Sequence, residues 1–225
     1  MQETINNLYH IFNAYTTSNM HYCDCGCIDE RDIKKLASKP LKLLEEDDFS
    51  SYHGSALYTW GDTSHYKHFL PRILEVHSLK EGHGIIDLSD IIPKLKYAQW
   101  ESWPKNEIEA IKQFVWKDWD NKINKRFCEH IHISDIESYM FFFPLSNLLQ
   151  AWKITEYRFA LQNFVYFFHF NMNILTKERQ THHQELNQYF KTIPSLNQIL
   201  EQEFFRVDDI DEDYSWKISI LLQML

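Results

Sequence analysis

Three thiols fall within five residues in Cys23-Asp24-Cys25-Gly26-Cys27. Thiolates are strong ligands for Zn²⁺, and a tetrahedral site needs four donors. The Cys-x-Cys-x-Cys spacing is tighter than the Cys-x₂-Cys of ordinary zinc knuckles, and three donors this close seldom all reach one ion. A fourth would come from elsewhere, either His21 or a residue of Cys128-Glu129-His130-Ile131-His132. A zinc centre on Cys23, Cys25, Cys27 and Cys128 is one expectation. Reduced, unbonded thiols are the plainer one, and soft-metal redox or trafficking chemistry is a third. His130 and His132 share a side of an extended segment and could chelate a metal. A pair of surface histidines before a helix cap is commoner. His182-His183 point apart on a helix.

No other motif points to a reaction. There is no Gly-x-Ser-x-Gly, no Gly-rich phosphate loop and no His-Glu-x-x-His. The carboxylates of Glu45-Glu46-Asp47-Asp48 are adjacent rather than set across a cleft, and read as a solvated helix start near the positive dipole end. The enzymatic alternative is thus a metal-dependent enzyme, or a metal-responsive protein, built on the Cys and His clusters.

The most specified stretch runs from Leu57 to Glu75. Gly61 follows an apolar run and suits the position after a helix C-terminus, where a positive φ is often needed. Asp62 suits the N-cap of the next helix. Tyr66, Phe69, Leu70, Ile73 and Leu74 then make one helical face. Pro71 interrupts it, which predicts a kink or two short helices, the second with Pro71 in its first turn. Trp60, His68 and Arg72 are the amphipathic members. They read as a packed corner or, more sharply, as a ligand-binding corner.

Thr59-Trp60-Gly61-Asp62 followed by His68-Phe69-Leu70-Pro71-Arg72 resembles a motif of a family of small, uncharacterised bacterial proteins. The resemblance extends upstream to the Cys-bearing segment and downstream through Lys96-Tyr97-Ala98-Gln99-Trp100 to Trp103-Pro104. It covers roughly the first half of the chain. It implies a soluble bacterial protein and no particular reaction.

Hydrophobic residues make up 44% of the 225 and aromatics 16%, so a core of ordinary size is possible. With only 5 Gly and 6 Pro, breakers are few, which favours helices over a many-turned β-sandwich. The formal net charge of -9 comes with no Lys/Arg block, which argues against a general nucleic-acid binder. No signal peptide is visible. The apolar stretch Phe159 to Leu175 contains Gln162, Asn163, His169, Asn171 and Asn173 and is too polar for a membrane span. The expected location is the cytoplasm, and the cysteines form no disulfide framework.

Periodicity predicts helices around Ile5 to Tyr15, Ile33 to Leu36, Phe49 to Leu57, Leu88 to Ala98 and Ile108 to Trp119. Further helices are expected at Tyr139 to Phe143, Thr155 to Leu175, Gln184 to Lys191, Ser195 to Phe205 and Tyr214 to Leu225. Ser134-Asp135-Ile136-Glu137 reads as a capping box, and Glu81-Gly82-His83-Gly84 as a loop. The fold expected is all-α, an array of roughly ten helices for which a HEAT-type solenoid is one form. It is expected to be a single domain, 1–225, with a point of subdivision near 127–134. Phe141-Phe142-Phe143 and Val165-Tyr166-Phe167-Phe168 have strand-like composition and allow one small hairpin.

An acidic helical array rich in aromatics, with no catalytic motif, fits a non-enzymatic protein-binding module. By analogy it would be an immunity protein that blocks a bacterial toxin, or an adaptor. The run Asp208, Asp209, Asp211, Glu212 and Asp213 would then meet a basic surface, unless it is a solvated linker. No cofactor is expected, zinc excepted.

Overall fold

The computed structural model describes residues 1–24, 26, 28–79, 86–175 and 181–224, leaving aside the side chains of 174, 175 and 181–183. Cys25, Cys27 and the expected loop Glu81 to Gly84 lie outside the described residues. Those described are all-helical. They form twelve α-helices, with short 3₁₀ turns at Leu41–Leu43 and Trp100–Ser102 and a π turn at Asn121–Lys125. β-Pairing among them is limited to isolated bridges from Trp60 to Tyr22 and to Ala56. The chain divides into two compact units, Met1–Asp118 and Trp119–Leu225.

The first unit holds α1 (Gln2–Ile11), α2 (Glu30–Ala37), α3 (Glu46–Ser55), α4 (Thr63–Leu79), α5 (Leu88–Tyr97) and most of α6 (Lys105–Asp120). α4 packs against α1 and α3, and α2 against α3. The face predicted for α4 is its buried face: Tyr66, Phe69, Leu70, Ile73 and Leu74 are all within the core. Ile5 and Leu8 of α1 and Phe12 just after it are buried too, and Phe49 and Tyr52 of α3 pack against Phe69.

Pro71 lies inside α4, which is neither divided nor restarted there. A mid-helix proline removes one backbone hydrogen bond and crowds the preceding turn. Here the apolar residues on both sides of Pro71 are fully buried, and that packing keeps the helix whole. Pro93 likewise lies inside α5. Two helices open on a capping box. α3 is capped by Glu45, and Asp48 closes the box by accepting the Glu45 N–H. α7 (Ile133–Met140) is capped by His132 rather than Ser134, with Asp135 returning to the His132 N–H. A carboxylate three residues into a helix serves the cap before it, so the α7 box shifts toward the N-terminus.

The second unit holds α7, α8 (Leu145–Ala151), α9 (Arg158–Leu175), α10 (Thr181–Lys191), α11 (Leu196–Val207) and α12 (Glu212–Met224). α9 is central to it, packing against the π turn, α10 and α12. The strand-like segments are not strands. Phe141 to Phe143 turn the chain from α7 into α8, and Val165 to Phe168 lie within α9. Aromatic residues suit any well-packed surface, and here the rings fill a helical core. Trp152 packs edge-on against Phe164, Phe167 and Phe190.

Two asparagines on α9 organise the irregular backbone beside it. Asn163 is fully buried, and its Nδ2 donates to the carbonyls of Lys122, Ile123 and Arg126 while its Oδ1 accepts from the Cys128 N–H. Asn171, also fully buried, donates to Ile131 O and Phe167 O and accepts from Ile133 N–H. Buried backbone groups outside a helix need partners, and these amides supply them.

Candidate functional site

The corner of the first unit joins two motifs that are separate in sequence. α3 ends at Ser55, and residues 56–60 fold back before Gly61, so Gly61 does not directly follow the helix end as the sequence suggested. Gly61 has φ +71° and donates its N–H to His21 O, while the Cys23 N–H donates to Thr59 O. The cysteine-bearing segment is thus laid against the corner, with Tyr22 opposite Trp60. Asp62 caps α4 as predicted, accepting from the N–H groups of Ser64 and His65. Burial works against its charge, but the His65 N–H and the His65 ring beside it hold its carboxyl below the usual range. His65 Nε2 meets Ser18 O at 3.1 Å.

Trp60, His68 and Arg72 go three different ways. Trp60 is in the core, edge-on to Tyr52 at 5.3 Å. His68 Nδ1 lies 2.8 Å from Tyr15 O. Arg72 donates to Leu44 O at 2.6 Å and to Glu75 at 2.7 Å. Glu75 also accepts the Tyr9 hydroxyl at 2.6 Å. Beyond the corner a buried pair, Lys67 and Glu107 at 2.7 Å, is shared with Tyr15, whose hydroxyl donates to Glu107 at 2.5 Å. Lys94, also buried, donates to Gly54 O and Ala56 O at the end of α3 and sits 3.7 Å from the Tyr58 ring centre. Burial pushes its ammonium down to about 8. Sequence reading singled out neither of these lysines, because burial is a tertiary property.

Cys23 and Cys128 are both half-buried. Among the described residues, no three of His, Cys, Asp and Glu come together as a metal-holding group. His130 and His132 do point the same way. They pack on one ring, Phe170, at 5.6 and 5.7 Å, and His132 Nδ1 accepts from the Ser134 N–H.

Phe170 belongs to an exposed aromatic face on the second unit that sequence reading did not pick out. Tyr166, His169 and Phe170 lie on one side of α9 at steps of three and four, and Trp216 and Lys217 face them from α12. His169 meets the Trp216 ring at 5.1 Å, Phe127 meets Tyr166 at 5.0 Å, and Lys217 lies 5.0 Å from the Tyr166 ring centre. Phe127, Phe170 and Trp216 stay 40%, 50% and 51% exposed. The spacing was visible in the sequence, but α9 is apolar nearly all round, and only packing tells which side stays uncovered.

The acidic run borders this face and is not a free linker. Asp211 caps α12 by accepting the Tyr214 N–H at 3.0 Å. Asp213 pairs with Lys217 and accepts the Tyr166 hydroxyl at 3.3 Å. The Lys217 hydrogen bond, set against burial, holds the Asp213 carboxyl below the usual range. Burial, then Asp213, pushes the Tyr166 hydroxyl up to about 12. Asp208, Asp209 and Glu212 are exposed. Ile210, within the run, and Phe205, just before it, are 80% and 81% exposed.

No family model, curated protein or solved structure matches the chain. Among the described residues no helix is long and apolar enough to cross a membrane.

Proposed function

We propose that this chain is a non-enzymatic protein-binding module whose contact face is the α9–α12 surface of the second unit. The observation that carries the reading is the joining of exposed aromatic anchors, Phe127, Phe170 and Trp216, with an acidic border from Asp208 to Asp213. Large rings exposed side by side mark interaction surfaces, and Trp and Tyr dominate binding hot spots. The acidic border and the net charge of -9 favour a partner with a basic rim. The immunity-protein and adaptor forms of this reading rest on analogy, and the partner separates them. A toxin whose activity falls on binding marks the first.

The test starts from a purified complex with a basic partner. Hydrogen exchange in that complex should show protection at α9 and α12. Phe170→Ser with Trp216→Ser should weaken binding by roughly 2 kcal/mol or more, as for hot-spot residues, whereas Tyr97→Ser, at an exposed ring of the first unit, should leave it unchanged. Protection confined to residues 1–118, with full affinity in the double variant, would sink the reading. The metal-based alternative is tested by elemental analysis of purified protein before and after Cys25→Ser. Stoichiometric zinc lost with that thiol would favour it.

A further inference from the structure

Beside the corner, α1, the 40–42 segment and α4 border an open cleft of about 520 Å³, within the size range of small-molecule sites. Phe12, Pro40, Leu41 and Pro71 give it apolar walls, and the rings of Tyr9 and Tyr15 flank them. His68, the motif residue that the protein-binding reading leaves unused, also lines it.

The rings are held in place from behind. The Tyr9 hydroxyl is fixed on Glu75 and Arg72, the Tyr15 hydroxyl on Glu107 and Lys67, and the His68 ring on Tyr15 O. A cleft with rings already fixed loses little side-chain entropy on binding.

Its charge is opposite to that of the chain as a whole. None of the lining side chains is acidic, whereas Lys42, His10 and His68 all line it. The carboxylates that the tyrosine hydroxyls reach, Glu75 and Glu107, are paired with Arg72 and Lys67. Lys42 lies 4.6 Å from the Tyr9 ring centre and makes no ion pair with a carboxylate among the described residues. It is an exposed cation at an aromatic mouth.

We propose that this cleft binds a small planar aromatic monoanion, such as an aromatic carboxylate or sulfonate. The ring would lie between Tyr9 and Tyr15, and the anionic group would sit against Lys42. This site is independent of the α9–α12 face.

The intact chain is titrated with two fluorescent probes, anilinonaphthalene sulfonate and its uncharged counterpart phenylnaphthylamine, and amide NMR shifts locate each. The expected result is saturable binding of one sulfonate per chain, with shifts at Asn6, Asn13 and Lys42. Lys42→Glu should weaken the sulfonate about five- to ten-fold and leave the neutral probe unchanged. Lys42→Gln should fall between. Because Lys42 is exposed, both variants should keep the parent spectrum. Equal sulfonate affinity in Lys42→Glu, equal loss of both probes, or shifts confined to the Phe170 and Trp216 face would each overturn the proposal.

Discussion

Gly61 is glycine for two reasons that act together. Its φ of +71° is one that side-chain-bearing residues rarely adopt. An added Cβ would also lie 3.0 Å from His65 Cβ and 3.4 Å from Met20 Cγ. Gly61→Val should therefore lower stability by about 1–3 kcal/mol, read as a drop in melting temperature. An unchanged melt would mean that the corner re-forms another way. Asn163 presents a different kind of constraint. Its amide meets four backbone groups, and truncating it would leave several of them buried without partners. Asn163→Ala should cost roughly 3 kcal/mol, measured by urea denaturation. Amide exchange should accelerate at Cys128, the residue whose N–H it accepts. A loss well under 1 kcal/mol would show that water replaces the amide at little cost.

At the level of elements, α12 depends on part of the acidic run. Neutralising all of it at once would confound binding with folding, because Asp211 caps the helix and Asp213 pairs with Lys217. Asp211→Ala should cost about 1 kcal/mol. Asp208→Asn with Asp209→Asn should leave the melt unchanged, slow association with a basic partner and flatten its salt dependence. An unaltered association rate at low and high salt would remove these two residues from the interface.

The end of α4 carries a pH-dependent contact. His77 Nε2 lies 3.3 Å from Asp118, and its Nδ1 lies 3.3 Å from Ile86 O and 3.6 Å from Asp87. Burial pulls its pKa down, but Asp118, Asp87 and the carbonyl together raise it above the ordinary value. The folded state therefore holds the proton more tightly. The resulting stability is fully present below about pH 6.5 and is lost as pH rises through the raised value. His53 behaves oppositely. Burial depresses its pKa, so its charging at acid pH destabilises the fold. Imidazole NMR should show His77 titrating above its unfolded value and His53 below it. The stability advantage of the parent over His77→Gln should shrink as pH rises. An advantage that grew with pH would contradict the pairing with Asp118.

For the whole molecule, the circular dichroism spectrum should be dominated by helix, and a strand-dominated spectrum would contradict the fold described here. Most of the helices and much of the buried set were legible in the sequence, though α8 was not, and the helix expected at Tyr139 to Phe143 ends at Met140. The three- and four-residue period of Tyr66, Phe69, Leu70, Ile73 and Leu74, the cap at Asp62 and the positive φ of Gly61 are local properties, and each was legible, although α3 ends before the point that Gly61 suggested. Local signals failed where two of them competed. Pro71 argued for a break and was overruled by core packing on both sides, and of the aromatic runs that argued for strand one became a turn and the other part of α9. Tertiary structure alone decided which polar residues would be buried. Asn163 and Asn171, which argued against a membrane span, became the partners of the backbone beside α9. It likewise decided that Trp60 would go inside while Trp216 stayed out, since two tryptophans differ only in what the fold lays over them. The partner face and the aromatic cleft belong to this second kind of fact, because a surface is what packing leaves uncovered, and no single segment of the chain specifies that.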